Sequence, residues 1–138
     1  MLSYIGGKSK IAPLFIIPNI PTDIETFVEV FGGMFWTFFK MDLKQYPNLK
    51  RVVYNDFNPL NYNLFKCLQN PSELLNAVNN IPCQQFGVDI TPPIYREQFV
   101  TFQREIFNQG FTCNLPDYET AAKYAYVLTQ VFSGSKPE

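Results

Sequence analysis

The stretch FVEVFGG, residues 27–33, constrains the fold more than any other part of the chain. Phenylalanine and valine surround a single glutamate, as in a short buried strand, and two glycines then end the run. An aromatic segment with helical spacing, residues 34–45, follows directly. A strand that ends in glycines before a helix predicts an open α/β sheet, in which ligands bind at the carboxyl ends of the strands.

A second strand and a second helix continue this order. The segment RVVYN, residues 51–55, is short and rich in β-branched residues, which favours a strand. Asn58 and Pro59 then have the residue types of a helix N-cap and first turn. Residues 26–70 are therefore predicted as strand, helix, strand, helix. Two strands are too few for a complete doubly wound sheet, so the predicted α/β fold is incomplete.

The second half of the chain has helical spacing. Three helices are predicted, and they start at Pro71, at the Thr91-Pro92-Pro93 turn and at an Asp117 cap. Gly110 is the expected end of the middle helix. After residue 55, the sequence offers one weak strand candidate, residues 86–90.

Composition excludes several kinds of site. The chain has no histidine, so histidine-based acid–base catalysis and histidine metal sites are excluded. Cys67, Cys83 and Cys113 are widely spaced and favour neither a zinc site nor a disulfide framework, which fits a cytoplasmic protein. The net charge of −1 does not support DNA binding by the whole surface. The sequence pattern also predicts neither a membrane span, because no apolar run is long enough, nor a signal peptide in MLSYIGGKSK.

Two familiar glycine motifs fail in detail. The segment GGKS, residues 6–9, lacks the earlier glycine of a P-loop, because Leu2 occupies that position. The dinucleotide motif G-x-G-x-x-G also fails, because Met34 and Thr37 stand where it requires glycines. The sequence therefore does not predict a nucleoside triphosphate site or a dinucleotide site.

The position of Asp56 is consistent with a binding site for a nucleoside cofactor. Asp56 follows the second strand, about 20 residues after Gly32-Gly33, where an acid in such folds bonds ribose hydroxyls. The alternative is a tight turn at the glycines and a helix cap at the acid, and spacing alone does not separate the two.

Three segments in this order resemble the Dam-type DNA adenine methyltransferases. They are YIGGKSKI, FVEVFGG with its aromatic helix, and YNDFNPLNYNLFKCL. That family opens with an aromatic-x-G-G-K segment, continues with a D/E-P-F-x-G-x-G strand and loop, and then has an N-D-x-N strand end. Two later segments, YREQFVTFQREIFNQG and AAKYAYVLTQVFSG, are similar to the family's next helices. The resemblance covers about the whole chain.

The resemblance implies a Rossmann-like fold of the S-adenosylmethionine-dependent methyltransferases, incomplete and with a helical second half. The family transfers a methyl group from S-adenosylmethionine to the adenine amino group of DNA. On this basis residues 1–70 are the cofactor-binding segment. Residues 71–138 lead toward a target-recognition region that lies outside the chain, so the chain is the N-terminal part of the enzyme.

The resemblance also assigns site residues. Tyr4 and Lys8 match the family's cofactor contacts in its opening segment. Phe31, Gly32 and Gly33 match the loop beneath the methionine and ribose moieties, and Asp56 matches the acid that holds the ribose hydroxyls. The resemblance implies related roles for two neighbours: Phe57 for packing on the adenine ring, and Glu29 at the family's acid position before the loop. The alternative for Glu29 is a buried glutamate satisfied by backbone donors.

The chain also departs from the family pattern. Val30 replaces a proline, and Met34-Phe35 replaces a further small residue. The catalytic D/N/S-P-P-Y/F/W motif, which holds and stacks the flipped adenine, has no match. In TPPIY, residues 91–95, threonine and isoleucine stand at the deciding positions, and the segment precedes the recognition region instead of following it. No catalytic residue and no metal site are therefore assigned.

Two alternatives to the N-terminal part of a methyltransferase remain at this point. One is a non-catalytic module, either a decayed remnant or one half of a split methyltransferase whose partner chain brings the P-P-Y loop. The other is an oligomeric structural domain that reuses the fold. A complementing C-terminal chain or a second copy is accordingly an expected partner, because unpaired sheet edges favour association.

Overall fold

A computed structural model describes residues 7–82, 93–108 and 116–130 of the chain. These residues form two compact units that divide between residues 58 and 59. The first unit contains both strands, and the second is helical. The result is a mixed helix–strand protein with a two-stranded parallel sheet, which is compatible with an incomplete α/β fold.

The first unit is built around two strands, β1 (Thr26–Glu29) and β2 (Arg51–Tyr54). The strands are parallel, and Glu29 lies opposite Tyr54 at the carboxyl end of the pair. Both strands occur where the apolar, β-branched pattern predicts them. The loops that follow the two strands therefore leave from the same edge of the sheet.

Short helical turns complete the first unit. A π-helical turn and a 3₁₀ turn precede β1, α1 lies between the strands, and a 3₁₀ turn leads to β2; their bounds are Ala12–Ile16, Ile17–Asn19, Trp36–Lys40 and Leu43–Gln45. The core contains five buried apolar residues, namely Ala12, Met34, Phe35, Met41 and Tyr46. Phe38 stacks on Phe27 and Phe35, so α1 packs against β1 through aromatic rings.

The α1 helix is shorter than the predicted residues 34–45. Phe35 has a φ of 56°, in the left-handed region, so the helix begins after it. At the other end, Asp42 accepts a hydrogen bond from the Lys44 backbone N–H and starts a separate 3₁₀ turn. The prediction of one continuous helix was wrong because helical spacing shows neither a left-handed residue nor a local side-chain cap.

The second unit consists of α2 (Pro59–Cys67), α3 (Pro71–Asn79), α4 (Pro93–Asn108) and α5 (Tyr118–Gln130). Each helix begins at or beside the proline or aspartate that predicts it. The α5 helix contacts the other three and buries five apolar residues, Ala121, Ala122, Tyr124, Val127 and Leu128. The strand candidate at residues 86–90 lies outside the described residues. No helix in the described ranges is long and apolar enough to cross a membrane.

Buried asparagines fix the start of α5. Asn63, fully packed in α2, donates to the Asp117 carbonyl and accepts from the Asp117 N–H, both within 2.9 Å. The Asp117 carboxylate in turn accepts the backbone N–H of Thr120, as an N-cap does. Burial raises the pKa of the neighbouring Cys67 thiol to about 11, and the charge of Asp117 adds to this, so Cys67 stays protonated near neutral pH. Cys83 and Cys113 lie outside the described residues.

Candidate functional site

The loop after β1 is hydrogen-bonded to the end of β2. The Gly32 N–H donates to the Asn55 carbonyl at 2.8 Å, and the Asn55 side chain donates to the Val30 carbonyl at 2.6 Å. The Gly33 N–H donates to Asp56 Oδ2 at 2.6 Å, and the Tyr54 hydroxyl donates to the Gly33 carbonyl at 2.8 Å. The glycine loop, residues 30–33, therefore has its shape set by residues 54–56.

Asp56 is held in a fixed orientation at this edge of the sheet. Its Oδ2 accepts from Gly33, and its Oδ1 accepts from the Asn58 backbone N–H at 2.8 Å. Backbone N–H groups on both oxygens thus fix the direction of the carboxylate. The side chain is half-buried, so it combines a fixed direction with access from solvent.

Two aromatic side chains beside the expected site residues are exposed, Phe57 directly after Asp56 and Phe31 directly before Gly32. Phe57 is 99% exposed and Phe31 is 77% exposed. Large apolar groups at such exposure bury little surface of their own, so they contribute little to folding and are available to a ligand with an apolar face.

Glu29, at the end of β1, is a buried carboxylate with only one of its oxygens paired. Its Oε1 accepts a hydrogen bond from the Thr37 hydroxyl at 2.9 Å and lies 3.4 Å from the Lys8 ammonium. Its Oε2 is buried and has no hydrogen-bond partner among the described residues. An unpaired buried carboxylate oxygen is costly, and a cationic or N–H donor ligand would remove that cost.

Lys8 connects the N-terminal segment to the same loop. Its ammonium donates to the Phe31 carbonyl at 2.6 Å in addition to facing Glu29. An ammonium has three donors, so Lys8 keeps capacity for an acceptor on a ligand. The Lys8 side chain is 28% exposed, which keeps that capacity within reach of solvent.

These polar groups line one side of a cavity of about 260 Å³ in the first unit. Its polar lining comes from Lys8, Glu29 and Thr37, and its apolar lining includes Ile16, Ile20 and Phe27. An ammonium and a carboxylate beside an apolar wall fit a zwitterionic head group that carries an apolar chain.

Two residues between β1 and α1 have left-handed backbone, Gly33 in the glycine loop with a φ of 52° and Phe35 just before α1 with a φ of 56°. Counted from Phe31, these are the two glycine positions of the pattern F-x-G-x-G. Phe35 therefore adopts at its position a conformation that glycine adopts without strain. Its ring is buried, as is Met34, so these bulky residues pack inside the first unit.

Of the site residues expected from the sequence, five are linked by these contacts, namely Lys8, Phe31, Gly32, Gly33 and Asp56. Tyr4 lies outside the described residues. Sequence reasoning missed Thr37 and Tyr54, which contact Glu29 and the glycine loop. In the sequence, the only feature that indicates a role for Tyr54 is its position beside Asn55-Asp56. No sequence feature indicates a role for Thr37. Whether these residues bind a cofactor stays a prediction at this point.

We expect Gly33→Val to damage both folding and ligand binding. A β-branched residue at a φ of 52° is strained by about 1–3 kcal/mol, and relief of that strain would turn the Gly33 N–H away from Asp56. Urea denaturation and cofactor titration of the variant would measure the two losses, with Gly33→Ala as the milder control. Unchanged stability and unchanged affinity in Gly33→Val would show that neither constraint exists.

Comparison with known families agrees with the sequence resemblance. A family model described as D12 class N6 adenine-specific DNA methyltransferase matches residues 4–135, which is nearly the whole chain. No curated protein and no solved structure matches the chain in the corresponding comparisons.

Proposed function

The chain belongs to the D12 class N6 adenine-specific DNA methyltransferase family, and we propose that it is the N-terminal, cofactor-binding part of such an enzyme. The cofactor proposed is S-adenosylmethionine, which supplies a methyl group on a sulfonium for transfer to the adenine amino group of DNA. The proposal includes an incomplete Rossmann-like fold, with residues 1–70 binding cofactor and residues 71–138 leading toward the recognition of DNA.

The buried Glu29 beside Lys8 is the observation that carries this proposal. The methionine part of the cofactor ends in an ammonium and a carboxylate on one carbon. The Glu29 carboxylate would accept from the ammonium after a local shift that opens its buried, unpaired Oε2 to the cavity, and the remaining Lys8 donor would bind the cofactor's carboxylate. The apolar wall at Ile16 and Ile20 would contact the side-chain carbons.

The other end of the cofactor would contact the residues after β2. Asp56 is oriented by the Gly33 and Asn58 N–H groups, and its carboxylate would accept from the two ribose hydroxyls. The exposed ring of Phe57 would cover one face of the adenine. Tyr4, by resemblance, would add a contact from the opening segment.

The residues of this chain would bind and orient the methyl donor and would not hold the target base. The family holds the adenine amino group with a polar side chain and stacks the base on an aromatic ring, and the chain lacks that motif. The reaction therefore requires a further segment or chain that presents the base beside the bound cofactor.

Open strands support the alternative that the chain works as one half of an assembly. Parallel sheets are normally covered on both faces, yet Val28 in β1 and Val52 in β2 are 51% and 37% exposed. We propose as partner a complementing chain with the remaining strands and the P-P-Y loop. A homo-oligomer is the competing outcome, and sedimentation of the chain alone and mixed with the complementing half separates the two.

We expect Glu29→Gln to lower the affinity for S-adenosylmethionine by about 10–100-fold without loss of stability. The amide keeps the shape of the side chain and removes the charge that would face the ammonium, a loss typical of one charge-assisted hydrogen bond. Removing a partly unpaired buried charge should leave the melting temperature unchanged or higher. Calorimetric titration and thermal melting of the variant measure both quantities.

Glu25→Gln is the matched control, because Glu25 lies in the same unit and is an exposed partner of Lys50 at 3.2 Å. This control should bind cofactor like the parent chain. Equal affinity of Glu29→Gln and the parent would overturn the assignment of the ammonium to Glu29. Absence of cofactor binding by the parent would overturn the proposed function itself.

A further inference from the structure

Gly32 is required to be a glycine for a reason other than its backbone conformation. Its φ is not positive, so other residues could adopt the same backbone. A Cβ at this position would, however, lie 2.3 and 2.6 Å from two ring carbons of Tyr54, closer than such atoms approach in real structures. Gly32 is thus small because the Tyr54 ring lies against it.

Tyr54 also contacts the two other positions that set the loop. Its hydroxyl donates to the Gly33 carbonyl at 2.8 Å. Its ring packs edge-on against the ring of Phe35, with centroids 5.0 Å apart. The Gly33 N–H is bound to Asp56, so both polar backbone atoms of this left-handed residue are held by the end of β2.

These contacts join Gly32, Phe35 and Tyr54. Phe35 departs from the F-x-G-x-G pattern, and the pattern does not specify the other two residues. The first position after Phe31 is a buried glycine, the last glycine is replaced by Phe35, and Tyr54 fills the space between them. We call Gly32, Phe35 and Tyr54 the aromatic clamp. The small residue and the two large rings are complementary, so a change in one alters what the others can accommodate.

We propose that Tyr54 is a positioning residue, which holds the glycine loop in its cofactor-binding shape through the aromatic clamp. The expected effect on binding rests on the proposed cofactor function. The packing between Gly32 and Tyr54 does not depend on that function. Tyr54 acts through Gly33, whose N–H orients Asp56, so loss of its hydroxyl should weaken binding while the fold persists.

The packing is tested by a double-mutant cycle in thermal melting of the full chain. Gly32→Ala should lower the melting temperature by roughly 5–10 °C, because the new methyl group overlaps the Tyr54 ring. In a Tyr54→Val background the same substitution should cost less than about half as much. Equal costs in both backgrounds would overturn the aromatic clamp.

The positioning role is tested by Tyr54→Phe, which keeps the ring and removes the hydroxyl. Its affinity for S-adenosylhomocysteine should fall about 3–10-fold, the usual worth of one hydrogen bond, with a melting temperature within about 4 °C of the parent. Tyr46→Phe makes the same chemical change at a buried tyrosine of the same unit and should leave affinity within about twofold. Parent-like affinity in Tyr54→Phe would overturn the inference alone, whereas a parent chain without affinity would overturn the proposed function and the positioning role together.

Discussion

Replacing Asp56 with alanine should weaken the binding of S-adenosylmethionine by roughly 30–1000-fold. The loss corresponds to two charge-assisted hydrogen bonds to the ribose hydroxyls, worth about 2–4 kcal/mol together. Asp56 is prepared for this role because Gly33 and Asn58 fix its carboxylate before a ligand arrives. Calorimetric titration of the parent and the variant measures the difference.

Part of that loss would come from the loop, since Asp56 also binds the Gly33 N–H. A cofactor analogue that lacks the ribose hydroxyls separates the two contributions. Asp56→Ala should weaken the hydroxyl-free analogue much less than the natural cofactor, as in a double-mutant cycle. Equal weakening of both ligands would assign Asp56 to the loop and remove its contact with the ribose.

Asp42→Ala is the matched control for the same experiment. Asp42 accepts a backbone N–H from Lys44, so it makes a similar local contact in the same unit, at the start of the 3₁₀ turn Leu43–Gln45. Its removal should lower stability slightly and leave cofactor affinity unchanged. A large loss of affinity in this control would mean that binding responds to stability in general.

The strand ends could be predicted from the sequence because their signals are local. β-branched residues in FVEV and RVVY predict two short strands, and parallel pairing brings their carboxyl ends to one edge. Glycines after one strand and an acid after the other then meet in space, as the hydrogen bond from Gly33 to Asp56 confirms. The positions of the glycine loop and Asp56 alone do not identify the ligand that they bind.

The partners of Glu29 could not be predicted, because they come from two separate stretches of the chain. Lys8 approaches from the opening segment and Thr37 from α1. Neither follows from periodicity, since a polar residue in a strand is equally well explained by a solvent-facing position. The left-handed Phe35 is similar: a phenylalanine in an aromatic run predicts helix, and only packing against Tyr54 shows why it is not helical.

In the helical unit, sequence predicts the starts of helices better than their buried faces. Proline and aspartate mark helix starts for local steric and hydrogen-bonding reasons. Asn61 and Asn63, by contrast, are fully buried in α2, where apolar spacing favours leucine and phenylalanine. Their burial depends on distant partners, Tyr124 for Asn61 and Asp117 for Asn63, which no local pattern reveals.

Residues 1–138 alone should transfer no methyl group to DNA above background, even with saturating cofactor. The chemistry requires an extruded adenine whose amino group is held by a polar side chain and whose ring is stacked on an aromatic. In TPPIY, residues 91–95, Thr91 and Ile94 stand at those positions, and both side chains lie outside the described residues. The net charge of −1 also gives little attraction for phosphates.

Binding the methyl donor without presenting the base stabilises the ground state and not the transition state, so turnover should stay at background. A tritiated-methyl assay on adenine-rich duplex DNA measures it, with the chain alone and mixed with a chain that carries the proposed complementing half. Activity only on mixing, lost again with Asp56→Ala, would establish a split enzyme whose cofactor half is this chain. Robust transfer by residues 1–138 alone that Thr91→Ala abolishes would falsify this view, because TPPIY would then be the catalytic loop.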